Sequence, residues 1–238
     1  MNIALLIAGG AGNRMGQDIP KQFLHVDGCP IIIHTMQCFQ KHPDIDAIAV
    51  VCLKGWETVL QAYANQFCIT KLRWVFEGGD SGMESIHNGI YGLKGKGCGD
   101  DDLVLIHDSV RPLLSQDIIS SNIAICKAYG YAITGIQCRE AILESEDGFS
   151  SNRSIPRDTL IRTQTPQTFT LGNIIEVHED AKRKGILDSV ASCTLIAEVG
   201  GREMHIVPGS EKNIKVTTVE DIEILKALMH TTKEEWLK

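Results

Sequence analysis

Aromatic residues make up only 5% of this 238-residue chain, and positive charge is outnumbered, with 23 Lys and Arg against 30 Asp and Glu. The formal net charge of −7 has the wrong sign for a protein held to nucleic acid or anionic lipid by its overall field. Neither partner is expected, and a bound polyanion must meet a local basic cluster. No apolar run approaches the roughly 18 to 20 residues of a membrane span, so no membrane partner is expected either. The opening MNIALLIAGG carries no basic leader, which makes a cytoplasmic location the expectation. Cysteine motifs are missing as well: Cys29, Cys38, Cys52, Cys68, Cys98, Cys126, Cys138 and Cys193 form no C-x-x-C pair. They read as small buried apolar residues of a reducing compartment. The histidines show no zinc spacing, so no structural metal is expected, and neither internal repeats nor low-complexity tracts occur.

What is present suits one globular domain spanning residues 1–238, with 43% hydrophobic and 22% charged residues. Apolar runs at 2–8, 46–53, 73–76, 103–106, 131–136 and 203–207 read as buried strands. Helical patterns lie between them at 31–40, 56–67, 85–94, 116–128 (with Ser115 as cap) and 171–184. A terminal helix follows Thr217 and Thr218, with Glu220 and Asp221 in its first turn. The alternation predicts an α/β fold with a mostly parallel sheet and the ligand at the carboxyl ends of its strands. It breaks over about residues 138–163, a polar insertion with a turn at Asp147 and Gly148. There 141–144 and 160–163 are expected to pair as a hairpin arm.

Chemistry concentrates in five segments. AGGAGNRMG follows the first strand, and its glycines let the backbone N–H groups of Ala8, Gly9, Gly10, Ala11 and Gly12 approach an anion. Met15 stands where a dinucleotide fingerprint needs a third glycine, and no G-K-[ST] follows. Arg14 and Lys21 add two cations beside the loop, which suits a triphosphate and favours nucleotidyl transfer over a plain strand-to-helix turn. Gly78, Gly79 and Asp80 precede Ser85, taken as the head of a helix, and can meet a flat base. In HDSVRP, Asp108 can hold Mg2+ or orient a hydroxyl, and Arg111 can clamp a phosphate or fix Asp108. Arg157 with QTPQTF, and Lys215 in NIKVTT, complete the set.

In this order the motifs resemble the cytidylyltransferases that make CDP-polyols, the family of 2-C-methyl-D-erythritol 4-phosphate and ribitol-5-phosphate cytidylyltransferases. The likeness runs over nearly the whole chain. It implies a Rossmann-like sheet flanked by helices, a homodimer interlocked through the arms, and Mg2+-dependent transfer of CMP from CTP to a polyol phosphate. Carried over position by position, it gives Arg14 and Lys21 the triphosphate, and gives Gly79, Asp80 and Ser85 the cytosine. Asp108, Ser109 and Arg111 face the acceptor, with Asp108 toward the metal, while Arg157 and Lys215 grip the acceptor phosphate. Arg14, Lys21, Asp108, Arg157 and Lys215 are thus the expected catalytic set.

Three departures bear on the acceptor. Gly82 replaces a usual arginine, Glu140–Ala141 replaces an Asp–Thr pair, and Leu187–Asp188 or Val190–Ala191 stands where the family has Thr–Asp. HDSVRP and the AGG form of the first loop resemble the ribitol-phosphate branch. Methylerythritol phosphate as acceptor, a CTP-binding regulatory protein that has lost transfer, and an enzyme for another nucleotide are the alternatives.

Overall fold

A computed structural model of the chain describes residues 1–10 and 19–231. The chain runs through β1 (Asn2–Ala8), a short ribbon of β2 (His25–Val26) and β3 (Cys29–Pro30), and then α1 (Ile31–Gln40). Next come β4 (Ala47–Cys52), α2 (Glu57–Gln66), β5 (Leu72–Glu77), α3 (Gly82–Gly95), β6 (Leu103–Asp108), α4 (Gln116–Tyr129) and β7 (Tyr131–Gln137). The arm holds β8 (Ile142–Glu144) and β9 (Arg153–Ile155). After it follow β10 (Ile161–Thr170), α5 (Leu171–Arg183), α6 (Ser192–Val199), β11 (His205–Pro208) and α7 (Val219–His230).

Seven strands form one sheet in the order β11-β7-β10-β6-β1-β4-β5. It is parallel except for β10, which lies antiparallel between β6 and β7. Both faces are covered, so the central strands are apolar throughout and alternate between two cores. In β1, Ala4, Leu6 and Ala8 join α1, α2 and α4, while Ile3 and Leu5 join α3, α5 and α6. Each fully buried Leu or Ile contributes about 1.5–3 kcal/mol relative to exposure. A smaller cluster of Val26, Ile31, Val110, Val216 and Leu225 seats α7.

Local chemistry sets the helix ends. Ser115 caps α4 by accepting the Ile118 N–H, and Gly130 ends that helix at φ 84°, a left-handed conformation that a side chain would strain. Thr218 and Asp221 form a reciprocal capping box on α7.

The structure corrects several expectations. The arm pairs β8 with β9, while residues 161–163 continue into β10 and pair with β7. Strand β10 was expected only as a motif, and α6 was not expected at all. Helix α3 begins at Gly82 with Ser81 as its cap, so Ser85 lies within the helix and not at its head. All eight cysteines are free, but Cys68 is exposed and Cys38 half-buried. Among the described residues no helix is long and apolar enough to cross a membrane.

Candidate active site

The carboxyl ends of β1, β5 and β6 open into a cleft of about 800 Å³. Its floor is the meeting of two glycine turns. A Cβ on Gly9 would lie 2.7 Å from Ser85 Oγ and 3.2 Å from Gly78 Cα, and a Cβ on Gly78 would lie 2.8 Å from Gly9 Cα. These two glycines therefore let one backbone pass against another. A Cβ on Gly10 would meet nothing within 4 Å among the described residues, which leaves that side of Gly10 open to a ligand. Buried Gln22 fixes the loop from behind, its Nε2 donating to the carbonyls of Ala8 at 2.8 Å and Gly10 at 3.1 Å.

In the second turn the Gly79 N–H donates to Ser85 Oγ (3.1 Å) and the Asp80 N–H to Glu84 Oε2 (2.6 Å). Both donors are already used, so what this turn offers a base is the Ser85 hydroxyl proton and its carbonyl oxygens. A Cβ on Gly82 would meet nothing within 4 Å among the described residues. The absence of a side chain there is a chemical choice and not a steric requirement.

Asp108 ends β6 and organises the cationic part of the cleft. Its Oδ2 accepts from Arg111 Nε (2.8 Å) and its Oδ1 from Lys215 Nζ (2.9 Å), while Arg111 Nη1 also donates to the Asn213 carbonyl (2.7 Å). Burial opposes ionisation of this carboxyl, but Lys215 and Arg111 outweigh it and bring the pKa down to about 2. Asp108 is therefore a fixed anion that aligns two cations. Lys21 lines the same cleft.

His107, fully buried and edge-on to Phe39, is pushed down to about 4 by burial and stays neutral. A carbonyl only accepts, so its Nε2–H donates to the Arg111 carbonyl (3.2 Å) and Nδ1 is left as the acceptor. Nδ1 takes the Thr165 hydroxyl (3.0 Å), whose oxygen accepts the Asp108 N–H (3.1 Å). One chain of hydrogen bonds thus ties β6 to β10. On the other side of β10 its pairing with β7 shifts register between Thr163 and Gln167, and such bulges re-aim side chains. Asn213 Nδ2 donates to the Thr165 carbonyl (2.8 Å), holding the segment before α7 against the same bulge.

Of the expected residues, Ala8, Gly9, Gly10, Lys21, Gly79, Asp80, Ser85, Asp108, Ser109, Arg111 and Lys215 all line the cleft. Ala11, Gly12 and Arg14 lie outside the described residues. Arg157 does not line the cleft of its own chain; it sits on the exposed arm with Nη1 donating to the Arg139 carbonyl (2.7 Å). Sequence reasoning missed Gln22, His107, Thr165, Gln167 and Ser192. The available signal was polar side chains inside apolar strands or next to glycine loops, which points to buried hydrogen bonds.

Among the described residues no three His, Cys, Asp or Glu side chains gather to hold a metal ion, and both Asp108 oxygens face cations. This donor set does not fit a resident metal.

A largely parallel α/β sheet that gathers two glycine turns and three cations at its carboxyl edge has the form of a nucleotidyltransferase. The chain belongs to the 2-C-methyl-D-erythritol 4-phosphate cytidylyltransferase family, whose profile matches residues 2–231. It is 38% identical to a ribitol-5-phosphate cytidylyltransferase of Lacticaseibacillus paracasei, over 96% of this chain and 98% of that protein. A protein of the same name from Streptococcus agalactiae is 39% identical, over 99% and 98%. The 2-C-methyl-D-erythritol 4-phosphate cytidylyltransferase of Clostridium acetobutylicum is 34% identical, over 96% and 97%. Among solved structures, the Francisella tularensis 2-C-methyl-D-erythritol 4-phosphate cytidylyltransferase superposes with a TM-score of 0.80 at 25% identity, covering 95% of this chain and 99% of that one.

Proposed function

We propose that the protein transfers CMP from CTP to a polyol phosphate and releases pyrophosphate, with ribitol 5-phosphate the favoured acceptor. The observation that carries the reading is the joining, in one cleft, of the glycine turn at Gly79 to Lys21 and to the Arg111 and Lys215 cations ordered about Asp108. The acceptor is favoured by HDSVRP and by the 37–39% identity to ribitol-5-phosphate enzymes, against 34% to methylerythritol-phosphate ones. The family profile's own name supports methylerythritol phosphate as the second reading.

The acceptor phosphate, with a second pKa of about 6, is largely dianionic at neutral pH. One of its oxygens forms the new bond to the α-phosphorus, the bond to the pyrophosphate oxygen breaks, and pyrophosphate departs with the electron pair. No proton has to move. The protein's work is to hold two anions in line and stabilise the departing charge. The Gly10 backbone, Lys21 and Arg14 hold the triphosphate. Ser85 donates to a cytosine acceptor, and the Gly79 or Asp80 carbonyl takes the exocyclic amine, which uracil lacks. Arg111, Ser109 and Lys215 receive the acceptor, with Asp108 keeping the two cations aimed; Mg2+, held by the triphosphate itself, would neutralise part of the phosphate charge.

Arg157 belongs in this account through a homodimer in which the arm of one copy brings it to the other copy's cleft. Phe149, 98% exposed at the tip of the arm, and Leu143, 64% exposed, support a second copy packing there.

Pyrophosphate release is the test, using CTP and Mg2+ with ribitol 5-phosphate, methylerythritol 4-phosphate, other pentitol phosphates and glycerol phosphates. Turnover with ribitol 5-phosphate, abolished when UTP replaces CTP, is expected. CTP binding with no pyrophosphate from any acceptor would instead favour a regulatory CTP-binding protein.

A further inference from the structure

Between β11 and α7 the chain returns to the cleft as an irregular segment running from Gly209 to Lys215. It brings Lys215 to Asp108, and its Asn213 carbonyl accepts from Arg111 Nη1. Both cations held by Asp108 therefore depend on where this segment lies. Its far end is fixed by packing: Val216 is fully buried in one cluster with Val110 and Leu225, and its N–H donates to the Val110 carbonyl (3.0 Å).

The near end is fixed by a side chain of β10. Gln164, 7% exposed, donates from Nε2 to the Ser210 carbonyl (2.8 Å), and its Oε1 accepts the Ser210 N–H (3.3 Å) and Asn213 Nδ2 (3.4 Å). One side-chain amide thus pairs with a backbone unit as a neighbouring strand would. Carbonyls only accept and N–H groups only donate, so the amide has a single orientation. A Cβ on Gly209 would lie 2.4 Å from Gln164 Oε1, so the glycine there admits the amide. Gln164 is free for this contact because β10 leaves the β7 ladder between Thr163, paired with Gly135, and Gln167, paired with Ile133. Thr165, in the same stretch, turns to His107 instead. The other tie on the segment, Arg162 to Glu211 at 2.7 Å, has side chains 45% and 59% exposed and is screened by water. Breaking the buried amide contact would leave Ser210 backbone groups without their partner, the costlier loss.

We propose that Gln164 is a positioning residue for the acceptor phosphate: through Ser210 and Asn213 it fixes where Arg111 and Lys215 stand. This rests on the polyol-phosphate reading above. Among the described residues the side-chain hydrogen bonds of Gln164 run to Ser210 and Asn213, on the acceptor side of the cleft, and not to the glycine turns of the nucleotide side.

The test compares wild type, Gln164→Met and Gly209→Ala in pyrophosphate release with CTP, Mg2+ and ribitol 5-phosphate, or whichever polyol phosphate the wild type turns over. Methionine keeps the length of the side chain and removes the amide, whereas alanine at 209 keeps the amide and displaces it. Each variant is expected to raise KM for the polyol phosphate about 10-fold, the scale of one lost hydrogen bond, with KM for CTP within about twofold of wild type. In a Lys215→Ala background either change should lower kcat/KM by less than about threefold, because residues that act through one another are not additive. A glutamine that only stabilised the fold would lower Tm without separating the two KM values, and its effect would add in full to that of Lys215→Ala. The two variants reach the contact from opposite sides, so one that fails to fold leaves the other to decide. Equal rises in KM for both substrates, full additivity with Lys215→Ala, or unchanged kinetics overturns the assignment while leaving the transferase reading intact. No turnover of any polyol phosphate by the wild type overturns both.

Discussion

The Asp108–Arg111 and Glu144–Arg153 ion pairs have the same 2.8 Å separation but very different settings. In the cleft the side chains of Arg111 and Asp108 are 11% and 21% exposed; on the arm those of Arg153 and Glu144 are 74% and 46% exposed. Water and salt screen the arm pair, and pairs of that kind are worth about 0–1 kcal/mol. In the cleft the same contact depresses the Asp108 pKa and aims two cations. Length alone says nothing of what an ion pair does. Burial and shared partners decide it, and the cleft has both.

The largest effect expected from this contrast is on turnover. Lys21→Ala and Lys215→Ala should each lower pyrophosphate release by about 10²–10³-fold, the scale for removing one charge-stabilising donor. Near-normal turnover in both variants would break the claim that cleft cations stabilise the departing charge.

Acid stability sharpens the same comparison. His107 has an ordinary pKa of 6.5 and is held at about 4 in the folded state. Between those values the unfolded chain binds more protons, so stability rises with pH. The contribution is complete above about 6.5 and is lost as pH falls toward about 4, amounting to about 2 kcal/mol at about pH 5. The Asp108 contribution has the opposite protonation logic but the same direction, present above its ordinary 3.8 and lost as pH falls through about 2. His178, also pushed down to about 4 by burial, adds in the same direction, so urea unfolding at pH 7 and at pH 5 should differ, and a flat profile would mean that neither histidine is the buried neutral group described.

The smallest effect belongs to the arm. Arg153→Ala should change unfolding free energy by less than about 0.5 kcal/mol at protein concentrations where the chain is monomeric. A loss above about 2 kcal/mol would show that the arm is as tightly coupled as the cleft.

Much of this molecule was legible from its residues. The strands of the two-faced sheet are short apolar runs, and period-2 alternation between its cores needs no partner to be read. The glycine turns, the Ser115 cap and the Thr218 box are likewise local. Helix α6 was not legible, because its N-cap Ala191 offers no side-chain acceptor. The cap comes instead from Gln167 of β10, whose Oε1 accepts the Cys193 N–H at 2.9 Å. The arm was misread for a related reason. Residues 160–163 are as extended as a hairpin strand, but β7 claims residues 161–163 and leaves 142–144 to pair with 153–155.

By itself the sequence determined the fold class, the glycine loops and eleven of the residues that line the cleft, because glycine freedom, capping and apolar periodicity act over a few neighbouring residues. Only the tertiary structure decided what those residues do to one another. The Asp108–Lys215 pair spans 107 positions and the Thr165–His107 bond 58. The placement of β10 between β6 and β7 creates the second contact, and the return of the chain before α7 creates the first. Their strength comes from the partial burial of Asp108 and the full burial of His107, a property of the packed molecule and not of any segment.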